Sequence, residues 1–298
     1  SDRNSFFLSY GYLNDGGLIQ GSGFRRSSAR FKDEYKVNNW MKVGANVNYI
    51  YSKSRYPGDQ TASASSGNAF GVANQMAPIY PIYVRDANGN IMTNQGRLVY
   101  DYGTVSDAGR DRSFMSISNP LGQLTYDKDI YTMDILNTTW FAELTPVKGL
   151  TLTARYGMNV DNTTEDVLQN AYMGQFAASE GGAYQYATRT YGFDQQYVAN
   201  YQFKIGEQNA FDLTAGYDGY QWKERRLYGG VSKLYNPESF WISNGVAQKN
   251  NSGSQKTYVT KGFFARVNYS FDDKYIANAS YRRDASSRFA KGNRWGDF

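Results

Sequence analysis

Strict two-residue alternation recurs along this chain and limits its fold more than any other feature. In FFARVNYSF (263–271), Phe263, Ala265, Val267, Tyr269 and Phe271 fall on one face, opposite Phe264, Arg266, Asn268 and Ser270. Beyond Asp272-Asp273-Lys274 the pattern resumes, with Tyr275, Ala277, Ala279 and Tyr281 set against Ile276, Asn278, Ser280 and Arg282. A period of two marks a strand with one apolar and one wet face.

The same test finds strands from the N-terminus onward. Phe6, Leu8, Tyr10 and Tyr12 alternate, and a second run goes from Phe24 through Phe31 and Tyr35 to Val37. A third sets Met41, Val43, Ala45, Val47, Tyr49 and Tyr51 against Lys42, Gly44, Asn46, Asn48 and Ser52. Further runs cover Ile130 to Leu144, Leu150 to Asp161, Tyr191 to Ile205 and Phe211 to Trp222. The expectation is about nine strands, several longer than the globular mean of about 5–6 residues.

The connections between these runs also alternate. Short turns fall at 37–40, 145–150, 205–209 and 271–274, and long links at 13–22, 55–128, 162–183 and 226–255. Short on one side and long on the other is the habit of an outer-membrane barrel, with periplasmic turns and extracellular loops. A soluble β-sandwich has the same alternation, since period two does not separate a core face from a lipid face. Strand length, turn asymmetry and the aromatic residues near the turn ends (Tyr35, Trp40, Trp140, Phe203, Phe211, Phe271 and Tyr275) favour lipid. In an isolated sheet an open edge in lipid would leave backbone groups unpaired, so more strands are expected beyond these. The start at Ser1 and the stop at Phe298 carry no terminal signature, and a piece of a longer chain is the expectation.

Composition bears on chemistry. The 298 residues include no Cys and no His, which excludes a disulfide framework, a thiolate nucleophile, a Cys/His zinc site and any His-based triad. Aromatics make up 16% of the chain, with 27 Tyr and 30 Gly, at a mean hydropathy of -0.64, a balance suited to strands and an amphipathic boundary. The formal net charge of +5 is dispersed among acidic residues and does not suggest nucleic acid. Asp272-Asp273 and Glu165-Asp166 read as turn and loop residues, so no catalytic residue is expected and the chain is read as a non-enzyme. Asp86-Ala87-Asn88-Gly89-Asn90 lacks the Glu of a calcium loop, Arg97 standing in its place, and reads as a hairpin turn. Gly229-Gly230 lacks the Lys of a phosphate loop. No metal and no cofactor are expected.

Three stretches resemble a known family. NYSFDDKYIANASYRRDASSRFAKGNRWGDF (268–298) is similar to the signature segment of SusC/RagA-type TonB-dependent outer-membrane transporters of Bacteroidetes. GYLNDGGLIQGSGFRR (11–26) resembles that family's early barrel hairpin, and MAPIYPIYVRDANGNI (76–91) its first large extracellular loop. The resemblance implies an all-β fold, part of a large antiparallel transmembrane barrel of about 22 strands, with the plug domain absent from this chain. It implies TonB-dependent import of an oligosaccharide or peptide across the outer membrane, with a SusD-like surface lipoprotein as partner and the TonB complex contacted through a missing N-terminal region. An outer-surface glycan-binding adhesin is the alternative.

Substrate contacts are expected on inward faces near the long-loop ends. Tyr220 and Trp222 meet both conditions and could stack on a sugar, with Asp218 below them to accept hydroxyl hydrogen bonds. Tyr184, Tyr186 and Trp241 are further candidates, and packing against loops or plug is the competing reading for all of these aromatics. Alternation sends Arg282 and Asp284 inward. It sends Arg283 outward near the upper rim, within reach of membrane lipid and lipopolysaccharide phosphates.

Overall fold

The computed structural model describes residues 3–57, 68–103, 118–174 and 176–298. Parts of the expected long links, 58–67 and 104–117 and residue 175, lie outside the described residues. In chain order the elements are β1 (Asn4–Gly16), β2 (Gly23–Lys36), β3 (Met41–Tyr56), α1 (Ala69–Gln75), β4 (Thr93–Asn94), β5 (Arg97–Leu98), α2 (Pro120–Tyr126), β6 (Lys128–Leu144), β7 (Leu150–Gln169), β8 (Gly182–Ile205), β9 (Asn209–Leu234), β10 (Gly245–Phe271), β11 (Tyr275–Ser286) and β12 (Trp295–Asp297). All strands except the β4–β5 hairpin join one antiparallel sheet of ten, ordered β1-β2-β3-β6-β7-β8-β9-β10-β11-β12, so each strand lies beside its sheet neighbour in sequence. The expected all-β barrel wall is thus borne out, and each of the alternating runs is one of its strands. No long apolar helix is present among the described residues.

Register carries the sequence pattern across the sheet. Phe263, Tyr217, Tyr197, Ala154, Ala142, Val43 and Tyr35 are successive cross-strand neighbours, which makes the apolar face continuous over seven strands. Arg266, Thr214, Asn200 and Thr151 form a matching row on the wet face. Asp33, Gln195 and Lys261 share the row of Tyr156 and Trp140 and are polar exceptions on the apolar side. Neither face is covered by a second sheet among the described residues, so the sandwich alternative has no partner layer here. Phe6 and Leu8 on the apolar face are 71% and 70% exposed.

The tight turns have specific chemistry. Asp272 and Asp273 both take left-handed backbone angles (φ 51° and 52°), as a two-residue type I′ hairpin requires, and Lys274 Nζ closes on Asp272 at 2.5 Å.

The opposite ends differ from the sequence expectation. β8, β9 and β10 run 24, 26 and 27 residues, more than twice the about 9–11 needed to cross a bilayer. The links expected at 13–22, 162–183 and 226–255 are correspondingly shorter, because β1 reaches Gly16, β7 reaches Gln169 and β9 continues to Leu234. Outward positions there turn polar (Arg189, Lys223, Arg225), so the alternation stops while the backbone ladder does not.

The buried core sits above the wall. Val72, Val84, Tyr100 and Tyr102 are buried within the 68–103 and 118–127 segments, and Leu168, Ala183, Val231 and Leu234 form a small cluster at the strand tops, capped by Phe240. Asn119 binds this nest together. Its Nδ2 donates to the carbonyls of Ile82 and Asp101, both at 2.9 Å, and its Oδ1 caps α2 by accepting from Gly122 N. Arg97 lies 4.0 Å over the Tyr172 ring and pairs with Glu238 at 3.2 Å, tying the nest to two neighbouring loops.

Candidate functional site

On the wet face β9 presents Asp218, Tyr220, Trp222, Glu224, Arg226 and Tyr228 in succession. Opposite them on β10 stand Gly262, Thr260, Tyr258, Lys256, Ser254 and Ser252. Tyr258 is the centre of the lower group: its ring centroid is 5.8 Å from that of Tyr220 and 5.4 Å from that of Trp222, and the Arg288 guanidinium lies 4.2 Å over it. Trp222 faces Gly192 on β8, and a Cβ on Gly192 would stand 2.9 Å from the Tyr220 hydroxyl, so the glycine leaves that ring its place. Tyr228 is the centre of an upper group, stacked with Tyr184 at 6.4 Å and meeting Tyr186 at 4.7 Å. Glu224 separates the two groups and is held by Arg226 at 2.9 Å.

Below the rings Asp218 is already engaged. Arg282 Nη2 donates to both of its oxygens at 3.0 and 3.1 Å, while Arg282 Nε donates to both oxygens of Asp284 at 2.9 and 2.7 Å. A Cβ on Gly262 would stand 2.3 Å from Asp284 Oδ1 and 2.7 Å from Arg282 Nη2, so only glycine admits this network against the wall. The network floors a cavity of about 450 Å³ that also touches Thr260, Phe289, Arg294 and Trp295. Such an arrangement can order a ligand's polar groups and stack its flat faces, and it contains no nucleophile beside a base.

The structure therefore brings Tyr220 and Trp222 together above Asp218, and Tyr184 with Tyr186 one tier higher. Trp241 does not join them. It precedes the short 3-10 turn Ile242–Asn244, beside Phe240, which packs on Leu168, Ala183 and Val231 on the other face of the sheet. Sequence reasoning missed Tyr228, Tyr258 and Arg288. Tyr258 was within reach, since counting back in twos from Phe264 along β10 lands on it. Arg283 stands on the outward face opposite Phe263, where it approaches Asp297 at 3.5 Å and lies 5.5 Å over Trp295. The Asp86 run is a turn closed on itself, its carboxylate accepting from the backbone of Asn88 and Asn90. Those hydrogen bonds hold the Asp86 carboxyl below its ordinary range. Among the described residues no group of three or more acidic side chains could hold a metal.

Comparison with known proteins shows what this wall is similar to. No family model matches the chain. TonB-dependent receptor P3 of Formosa agariphila is 24% identical over 100% of this chain and 28% of its own length. TonB-dependent receptor SusC of Bacteroides thetaiotaomicron is 26% identical over 98% of this chain and 28% of its own. The RagAB peptide importer in its open-open state superposes with a TM-score of 0.76 at 23% identity, over 100% of this chain and 31% of that one. The SusC/RagA resemblance holds along the whole chain. At this identity the RagAB superposition speaks to fold alone, and it covers the whole of the SusC/RagA-like segment. The segment spans less than a third of the length of the curated relatives it matches.

Proposed function

We propose that this SusC/RagA-like segment is the N-terminal to middle part of the wall of an outer-membrane importer. In this reading the importer draws energy through TonB and takes up an oligosaccharide or peptide delivered with a SusD-like surface lipoprotein. The observation that carries the proposal is the two-faced sheet: an apolar face continuous over seven strands, with no second sheet on it among the described residues, backing a wet face lined with aromatic rings. Lipid supplies the missing layer, and the wet face becomes a lumen. In this orientation 37–40, 145–150, 205–209 and 271–274 are periplasmic, and the long links with the 68–127 nest are extracellular.

The Tyr220–Tyr258–Trp222 and Tyr184–Tyr228–Tyr186 groups supply ring faces for sugars or for flat peptide side chains, and Arg288 adds a charge above the lower group. Asp218 serves as a partner of Arg282 that fixes the floor. The wall performs no covalent chemistry, which agrees with relatives named as TonB-dependent receptors.

The test is capture from a mild-detergent outer-membrane extract with an antibody to residues 68–103, followed by mass spectrometry. A parent chain well above 33.6 kDa arriving with a surface lipoprotein is the expected result. A lone chain of about fragment size that stays monodisperse without detergent would overturn the proposal and leave the glycan-binding adhesin.

A further inference from the structure

The long strands pass beyond the apolar band, and there the outer face carries charges that the fold leaves uncompensated. Arg189 on β8 and Arg225 on β9 are direct cross-strand partners, and Lys223 stands opposite Tyr191 in the next row toward the turns. Both arginines are exposed. Among the described residues neither arginine nor Lys223 has a hydrogen bond or an ion pair; the one contact of this kind is Arg189 lying 4.8 Å over the Tyr191 ring. Like charges directly opposite in a sheet repel and destabilise the pairing. The two arginines stand in register beside a lysine with no carboxylate in either row on β8, β9 or β10, and the carboxylate farther along their row, Asp134 on β6, accepts from the Tyr49 hydroxyl, which leaves the pair open to an outside anion.

The pattern recurs farther along the same face. Arg25 on β2 is the direct partner of Lys53 on β3, again just past the end of the outward apolar run. Arg25 has a neutral contact to Asn14, and neither cation has an ion pair among the described residues. At the tight-turn end of the sheet the outward positions are Met41, Leu144, Leu150, Ile205 and Phe271, without a cation among them. The collar of basic residues therefore borders only one side of the apolar band.

The geometry points to a binding site for the phosphate groups of a phosphorylated glycolipid of the outer leaflet, centred on Arg189 and Arg225. This inference rests on the membrane-wall reading above. Guanidinium pairs match phosphate by bidentate hydrogen bonding. The row continues on either side into amides, Gln255 beyond Arg225 and Asn162 beyond Arg189, which suits a sugar headgroup better than a glycerol one. Tyr191 marks the level where acyl chain gives way to headgroup. Lipid phosphate here would lie against the outside of the wall, separate from the ring groups facing the lumen.

The test uses the whole protein purified from outer membranes in mild detergent, with lipid A carrying both phosphates, dephosphorylated lipid A and phosphatidylglycerol added to the micelles as separate probes. Binding is read by native mass spectrometry. The phosphorylated glycolipid is expected to bind at least about ten-fold better than either other probe, taking about 1 kcal/mol per basic residue near a charged surface. The Arg189→Gln/Arg225→Gln double variant should lose that preference, while Lys233→Gln, whose cation pairs with Glu180, should keep it. In phosphate-free detergent the double variant should melt no lower than the parent, since a repulsive pair has been removed. Equal binding of all three probes by the unsubstituted protein overturns the inference without any variant, and so does a preference that survives the double substitution. A protein that needs no detergent at all would instead sink the barrel reading on which the inference rests.

Discussion

The wall and the nest above it bury apolar surface in opposite ways. In the 68–103 and 118–127 segments Val72, Val84 and Tyr102 turn inward onto one another, as in a small globular domain. In the wall Phe6, Leu8 and Tyr10 are left more than two-thirds exposed, and the fully buried apolar side chains of the sheet lie only at the strand tops. A protein interior stabilises the first, and a solvent outside the protein must stabilise the second. The two regions should therefore respond differently to the same kind of substitution.

The largest expected effect breaks the wall. Ala199 lies midway along the outward apolar run of β8, between Ala215 and Leu152, and Ala199→Arg should cost about 2–4 kcal/mol of barrel stability. Thr153→Arg, one row away on the wet face beside Glu143, should cost under about 1 kcal/mol. Heat-modifiable electrophoretic mobility after detergent refolding reads both. Equal losses for the two would mean that the apolar face does not meet lipid.

The nest should respond to pH. Asp127 joins α2 to β6 and accepts from Asn170 N and Nδ2 at 2.9 and 2.6 Å, yet burial pushes its carboxyl up to about 6. A raised carboxyl favours the protonated folded state. Its contribution is complete below about pH 4, declines as pH rises through about 6, and is flat above that, a change on the order of 2 kcal/mol. Hydrogen exchange at 118–127, corrected for intrinsic rates, should show protection falling over that window in the parent and no such fall in Asp127→Asn. Asn119→Ala should cost the same region about 1.5–2 kcal/mol by removing the hydrogen bonds to the Ile82 and Asp101 carbonyls and the cap on the Gly122 amide. Exchange in β7 and β8 below the strand tops should not change.

The same contrast explains what could be read from the sequence. The wall was legible because lipid and lumen impose one rule on every second residue, and Met41 to Tyr49 or Leu150 to Asp161 state that rule without interruption. The rule ends where the lipid does. Above Tyr191 on β8 and Tyr217 on β9 the outward positions Arg189, Gln221, Lys223 and Arg225 are polar, so β8 above Tyr191 and β9 above Trp222 read as loop although the ladder continues to Gly182 and Leu234. The nest has no long period to read, since α1 and α2 are seven residues each and are set by single caps, Asn68 and Asn119. Of the candidate site, Tyr220 and Trp222 follow from strand parity, but Tyr258 and Arg288 join them through pairing between β9 and β10 and a contact from the β11–β12 link, both of which are tertiary facts. Trp241 is a candidate from its ring type and its place in the 226–255 link, and neither fixes which side of a sheet a loop folds over.

The smallest effect sharpens the comparison at the lumen. If the wet face is a binding surface, its rings should matter to ligand and hardly to stability, the reverse of Asn119. Tyr258→Ala removes the ring that Trp222, Tyr220 and Arg288 share, and should weaken ligand retention about ten-fold, near 1.4 kcal/mol, with melting unchanged to within about 0.5 kcal/mol. Trp241→Ala, on the other side of the sheet, should leave retention unchanged. Isothermal titration of the detergent-solubilised protein against the glycan or peptide that co-purifies with it reads both. If Tyr258→Ala lowered melting and left retention intact, the rings would be packing for loops or plug, and the ligand would have to be sought on the exposed surface of the nest.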